Sequence, residues 1–582
     1  MLRLVKVHFP DLYRWVHWCY GSSEDPYLWF KGGTLRSQEG VQQGDPLGPL
    51  LFSLVIQELI NAINMACPEL DLNWWYLDDG VIAGKAASVM KAFLLIEELG
   101  PDLGMDLNLR KNELVKFSEE VDDFPAEFER FSTNFTLLGS PIGDEAFCVE
   151  YIRQHVKKRV RHVLDSLLQV EDTQVYHFLV RLCASYCKVV HLLRSVPPCY
   201  SRDALAHFDS EVKQSFSKGT GLIFTEEAWI QAGLPIAMGG AGLRRAVFHA
   251  SGAYVASVAK CAEADAWDPT LAVGWQDALD DVCARTGRTP DSITEAQMTV
   301  TQRELSQAVD KRLLDTLIKK APVFDRARLR SVSARGASAW LGVIPSAALN
   351  LTFTPREFVH LLRFWFGMRV YEEIHACPAC DQAMDVHGCH ALSCKHLGSM
   401  TVRHNAIREV FMHYCTMANI KAVREAPGLL PDSAARPADV LLPPNRLHIP
   451  GLSSDRPTCL DFAVTNTQQS KNLKRASEVT AAAADDYGKS VKVKTYKEVC
   501  NANGLDFVPM VVEVFGVWGS AAVPVIDFIS KAIANNKDKN QDQVDSFFRQ
   551  ALSVTLQRYN VAALLRRRDQ DLPVIDDPIP TT

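Results

Sequence analysis

Two adjacent carboxylates, Asp78 and Asp79, follow Tyr76-Leu77 and lie between apolar runs, a pattern that predicts a β-hairpin with the acids at its tip. Carboxylates this close repel, and one of them titrates upward unless a divalent cation neutralises the pair. Phosphoryl-transfer enzymes use such ions to activate a 3′-hydroxyl and to stabilise the leaving group. An Asp-Asp pair by itself also occurs in surface turns, so its context decides. Upstream, Gly40-Val41-Gln42-Gln43-Gly44-Asp45-Pro46-Leu47-Gly48-Pro49-Leu50-Leu51-Phe52 is a Gly/Pro-rich turn running into an apolar helix.

The order continues with Gly104-Met105-Asp106-Leu107-Asn108-Leu109-Arg110-Lys111-Asn112-Glu113 and then Leu137-Leu138-Gly139-Ser140-Pro141-Ile142-Gly143. Over roughly residues 1 to 145 this series resembles the reverse transcriptase family: its Gln-Gly segment, Tyr-x-Asp-Asp box, Lys-bearing segment and primer-grip turn. The resemblance implies a polymerase palm in which Asp78 and Asp79 hold Mg²⁺ or Mn²⁺, Gln43 and Gly44 lie against the nucleotide and template, and Lys111 sits near the triphosphate. Taken alone, Lys111 is equally a solvated turn lysine and Gln43 a helix-start residue. The family also uses a third carboxylate, from a strand well before the Gln-Gly segment. Here Asp11 and Asp25 stand in Pro-flanked turns and are poor substitutes, so the expectation is a palm truncated downstream of its first catalytic acid, with doubtful polymerisation.

At 582 residues, 47% hydrophobic and 23% charged, the chain is long enough for several modules. A net charge of -7 argues against a uniformly basic nucleic-acid coat and puts any binding on local patches such as Arg153, Lys157, Lys158, Arg159 and Arg161. No apolar run approaches the ~20 residues of a membrane span, and the first residues lack a signal-peptide pattern. Fifteen cysteines without regular spacing, one cluster apart, fit reduced thiols in an intracellular setting, and the expected localisation is nuclear. From about 150 to 370 the apolar spacing is helical. Gly239-Gly240-Ala241-Gly242 interrupts it and lacks the βαβ context of a dinucleotide fingerprint.

Cys377-Pro378-Ala379-Cys380 is followed by His390 and Cys394, with His387, Cys389 and His396 as nearby competitors. Two thiolates on a tight turn and a His/Cys pair make the two halves of a tetrahedral site, so this spacing predicts structural Zn²⁺ with no open coordination position.

Beyond the cluster the pattern becomes α/β. A helix over about 402–417 precedes Val423-Arg424-Glu425, then Arg436-Pro437-Ala438-Asp439-Val440-Leu441-Leu442 and Cys459-Leu460-Asp461-Phe462-Ala463-Val464. A helical stretch over about 471–499 leads to a strand at 507–514. Two acids on neighbouring strands with a lysine nearby suit metal-assisted phosphodiester cleavage. Residues 377 to 520 resemble the zinc knuckle and restriction-enzyme-like nuclease of the PD-(D/E)XK class found in non-LTR retrotransposons. The resemblance implies Asp439 and Asp461 as Mg²⁺ ligands and Glu425 as a helix-side acid. Ala463 stands where the usual lysine would be, and Lys492 from the following helix is assigned instead, with Lys489 and Lys494 as alternatives. Arg566-Arg567-Arg568 suit a helix C-terminus without any ligand, and residues 569–582 have a disordered composition.

The expected fold class is multidomain α+β. It comprises a partial palm (1–145), a helical thumb (146–265), a helical linker (266–370), a zinc knuckle (371–400), a restriction-endonuclease-like domain (401–525) and a C-terminal helix with tail (526–582). The expected partners are an RNA template and a DNA target, without a membrane. The alternatives are a non-catalytic nucleic-acid-binding remnant and a stand-alone metal-dependent endonuclease.

Overall fold

A computed structural model describes residues 1–21, 27–36, 40–42, 44–116, 124–131, 133–265, 267–294, 300–431, 436–444 and 449–567. Gln43, Asp25, Arg568 and the 569–582 tail lie outside these. The chain divides into two compact units, Met1–Phe147 and Cys148–Thr582.

In the first unit, α1 (Gly48–Ala66) begins with Pro49 inside its first turn, where a missing N–H costs nothing. It packs Ile56, Leu59 and Ile63 against Ala92 of α2 (Ala86–Leu99) and against Trp75 and Ile82 of the intervening hairpin. That hairpin joins β1 (Leu72–Tyr76) to β2 (Asp79–Ala83) with Tyr76 opposite Asp79. Its two-residue loop is Leu77-Asp78, with Leu77 at φ 57°, the left-handed geometry that matches strand twist. Gly80 is required: the ring of Trp75 lies where its Cβ would be, 2.7 Å away. Among the described residues the strands of this unit pair only two by two.

By length and composition alone, α1 is long and apolar enough to cross a membrane. Its apolar residues are spaced by Ser53, Gln57, Glu58, Asn61 and Asn64, so no unbroken run announces it. Ile56, Leu59 and Ile63 face the unit's core.

The second unit is helical through 148–365 and then α/β. Its largest core is continuous from Ile152 and Val180 through Trp340 and Trp365 to Cys377, Cys394, Phe515 and Leu564. The glycine-rich break serves packing: a Cβ at Gly240 would lie 1.9 Å from the Leu234 carbonyl, and Gly242 N–H donates to that same carbonyl at 3.0 Å. Helices α3 (Ala246–Asp265) and α4 (Gln302–Lys320), which follow it in the chain, pack against each other. The basic patch falls mostly on a π-helical turn, Val156–Arg161, where Arg161 pairs with Glu211 at 2.7 Å.

The α/β part follows α5 (Ser399–Met417). Its sheet has the order β3 (Val423–Arg424), β4 (Val440–Leu442), β5 (Thr458–Thr465), β6 (Asp506–Glu513). The first three strands are antiparallel and β5–β6 is parallel. The helical stretch expected at 471–499 is broken into Ser470–Ala476, Ala482–Tyr487, a π-helical turn Gly488–Val493 and α6 (Lys494–Ala502). Pro509, which cannot donate a ladder bond, sits on β6 at the sheet edge. Helices α7 (Val523–Lys537) and α8 (Gln541–Leu565) join α5 in covering one face, with Phe411, Phe462, Val512, Ile529 and Phe548 at the centre of this second core.

Candidate functional site

The register that sets Val440 opposite Leu460 places the next pair, Asp439 and Asp461, directly opposite each other across β4–β5. Asp439 N–H donates to the Leu460 carbonyl at 3.0 Å and the Asp439 carbonyl accepts from Glu425 N–H at 3.0 Å, so its backbone is held from both sides. Opposite residues on one face of an antiparallel pair have Cβ atoms about 5 Å apart, and the two carboxylates are near enough to share a hydrogen bond.

Each acid has a different set of donors. Asp439 Oδ2 accepts from His404 Nε2 of α5 at 3.0 Å and from Phe462 N–H at 2.7 Å. Burial works against its ionised form, but the His404 contact and the Phe462 amide outweigh it, and the carboxyl is held below the ordinary range. Asp461 is 6% exposed. Burial pushes its carboxyl up to about 6, against the pull of Lys492 and with the added repulsion of Asp439. Lys492 Nζ donates to Asp461 Oδ1 at 2.8 Å, and this pairing overcomes burial to raise the ammonium's pKa.

Asp461 Oδ2 is buried and receives no hydrogen bond. One oxygen of the acid pair is thus left without a donor, a place that a cation or a proton can satisfy. The donor set is oxygen-rich, which suits a hard divalent ion such as Mg²⁺ or Mn²⁺.

Lys492 reaches this point from the π-helical turn. A π turn inserts a residue into the helical register and re-aims the side chains after it, a feature often seen at functional sites. Lys489 lines a separate cleft with Lys497, Val493 and Pro509. Glu425 is placed by its backbone beside Asp439, but its carboxylate contacts Arg408 and pairs with Arg436 at 3.6 Å. Two guanidinium groups thus hold the Glu425 carboxylate.

The sulfur-rich cluster is assembled in the same unit. Ligand atoms of Cys377, Cys380, His390 and Cys394 all lie within 4.8 Å of one another. Cys380 Sγ and Cys394 Sγ are 3.7 Å apart, close to the edge of about 3.8 Å that a tetrahedron of 2.3 Å Zn–S bonds requires. His390 Nε2 is 3.2 Å from Cys380 Sγ. Burial and the charge of Arg567 hold the His390 imidazole below its ordinary pKa, and so in its neutral, ligating form. The Cys394 thiol is raised by burial but lowered overall by the His396 amide and Arg567. The competitors His387, Cys389 and His396 are not in the group: His387 lies against the Phe324 ring in a tilted pair and Cys389 points to Gln468. The cluster is able to bind zinc.

Several positioning residues carry no pattern in the sequence. Asp385 accepts the N–H groups of His387, Cys389 and His390 at 2.8 to 3.1 Å and shapes the turn before His390. Buried Arg403 donates to Asn560 on α8 and to the Leu392 carbonyl. Arg567, expected to need no ligand, is buried and donates to the carbonyls of Ala563 and His396, tying the chain just past α8 to the cluster. Its signal was unreadable because its partner lies 171 positions away.

In the first unit, Asp78 and Asp79 are exposed at the hairpin tip. Among the described residues no third metal-ligating side chain groups with them. Gly44 has φ 95° in an open turn before α1, with no atom within 4 Å of where a Cβ would be. Lys111 is exposed at the end of a short 3₁₀ turn, Leu109–Lys111. Gln43 lies outside the described residues.

No protein-family model matches the chain. The chain is 24% identical over 490 residues, 82% of its length, to the retrotransposable element SLACS 132 kDa protein of Trypanosoma brucei gambiense. It spans about a third of that relative, 36% of its length.

Proposed function

We propose that the chain is retroelement-derived and that its C-terminal part is a metal-dependent DNA-nicking domain. The observation that carries this reading is the convergence of Asp439, Asp461 and Lys492 on one buried point, with an acid oxygen left without a donor. Asp439 and Asp461 would hold the divalent ion, which when bound supplies the positive charge that lowers the pKa of water and polarises a phosphodiester.

The side chains divide the remaining work. Lys492 Nζ is a fixed ammonium at the acid pair, placed to stabilise charge that develops on the phosphate oxygens. The Phe462 amide and His404 hold Asp439 Oδ2, leaving its other oxygen for the ion. The zinc cluster lies in the same core as Phe515 and Leu564, so it braces the fold beside the nuclease sheet and takes no part in chemistry.

For the first unit the reading is a reverse transcriptase palm segment, with Asp78 and Asp79 as two Mg²⁺ ligands and Gln43, Gly44 and Lys111 on the nucleotide side.

The direct test is conversion of supercoiled plasmid to the nicked circle by the purified chain. Nicking is expected with Mg²⁺ or Mn²⁺ and not in EDTA. Plasmid that stays supercoiled in both metals would leave the binding role as the better reading.

A further inference from the structure

His404 is the one imidazole in hydrogen-bond contact with the acid pair among the described residues, and it comes from a helix rather than from either acid-bearing strand. Its Nε2 is 3.0 Å from Asp439 Oδ2, and its Nδ1 is 3.2 Å from the side-chain oxygen of its neighbour Asn405. We propose that His404 is a positioning residue for the divalent ion: it fixes the rotation of the Asp439 carboxylate so that one oxygen is committed to protein donors and the other is presented toward Asp461. This inference rests on the reading of Asp439 and Asp461 as metal ligands.

Asp439 Oδ2 takes two N–H donors, from His404 and from Phe462. The Phe462 amide belongs to the same strand as Asp461, so it fixes Asp439 relative to its partner acid. On its own it leaves the carboxylate free to swing about its Cα–Cβ and Cβ–Cγ bonds. The His404 bond approaches from α5, outside the sheet, and removes that freedom.

The helix is itself anchored on both sides of His404. Arg403 is buried with bonds to Asn560 and to the Leu392 carbonyl, and Arg408 contacts Glu409 and Glu425. Glu425, which sequence resemblance put forward as the helix-side group, is occupied by Arg408 and Arg436. The side chain that α5 brings to the acids is therefore an imidazole donor and not a third carboxylate. A site built this way carries two ligand acids and a neutral or positive neighbour. That charge balance suits an ion that also draws ligands from water and from a substrate phosphate. Outer-sphere partners of metal ligands typically change metal affinity by 10- to 100-fold when removed.

The test is Mn²⁺ binding to the zinc-loaded full chain, followed by loss of the free-ion electron paramagnetic resonance signal. The binding that Asp439→Ala abolishes defines the site and separates it from any ion at Asp78 and Asp79. His404→Ala is expected to weaken that binding about 10-fold with an unchanged melting temperature, while His404→Gln, which keeps an N–H donor, stays within about threefold of the parent. His404→Ala binding like the parent, or His404→Gln falling as far as His404→Ala, would overturn the positioning role alone. If the parent shows no Asp439-dependent Mn²⁺ binding, the metal-centre reading falls and this inference with it.

Discussion

Lys492 Nζ meets Asp461 Oδ1 at 2.8 Å, although 31 positions and two helices separate them in the chain. The contact depends on the π-helical turn Gly488–Val493 lying against β6, which brings the ammonium to a strand it does not follow directly. Asp461 would otherwise be a buried acid with repulsion from Asp439 and no counter-charge of its own, a costly arrangement.

Lys492→Ala is therefore expected to lower single-turnover nicking by roughly 100-fold or more, as loss of one preorganised charge donor typically does. Lys489→Ala and Lys494→Ala should stay close to the parent, because Lys489 faces a different cleft and no contact joins Lys494 to either acid among the described residues. Equal losses in all three variants would move the role away from Lys492.

Cys380→Ser should reduce bound zinc by about one equivalent and loosen the 377–398 segment, since structural zinc supplies folding free energy of order 10 kcal/mol at neutral pH. Metal analysis of the dialysed protein and limited proteolysis read the two effects. Cys389→Ser should keep its zinc, because Cys389 lies outside the four-ligand group. Unchanged metal in Cys380→Ser would remove these ligands.

Sequence patterns reached the site unevenly, for physical reasons. Asp439 and Asp461 stood out because buried-strand sequence rarely carries an acid, and the zinc set stood out because thiol spacing is local. The break in the 471–499 helix was not visible, since Gly488 is tolerated in a helix and nothing in Lys489-Ser490-Val491-Lys492 distinguishes a π turn from an α one. His404 and Arg567 were not visible either: each acts on a partner brought close only by helix packing on the sheet or the cluster. Glu425 looked like a ligand because its position in the chain is right, and only the approach of Arg408 and Arg436 shows why its carboxylate is elsewhere engaged.

Acid sensitivity has a specific source in the helical part. His177 is fully buried, donates from Nε2 to the Ala241 carbonyl at 2.9 Å, and burial pushes its pKa from 6.5 down to about 4. As the pH falls from 6.5 toward 4 the unfolded chain takes up a proton that the folded chain refuses, so stability is lost through that window. The span from 6.5 to about 4, at about 1.4 kcal/mol per pH unit, corresponds to about 3 kcal/mol. Thermal melts of His177→Gln and the parent at pH 7, 5.5 and 4.5 should show a smaller acid-induced drop in the variant. Parallel decreases in both proteins would assign the sensitivity to other groups.

The most direct measurement of the central claim is the Mg²⁺-dependent rate of plasmid nicking by four proteins purified in parallel: the parent, Asp439→Ala, Asp461→Ala and Asp78→Ala. The expected result is nicking by the parent and Asp78→Ala at similar rates, and a loss of about 1,000-fold or more in Asp439→Ala and Asp461→Ala, since either change removes a metal ligand. Nicking by Asp439→Ala and Asp461→Ala at the parental rate would contradict the assignment of these two acids as the cleavage centre.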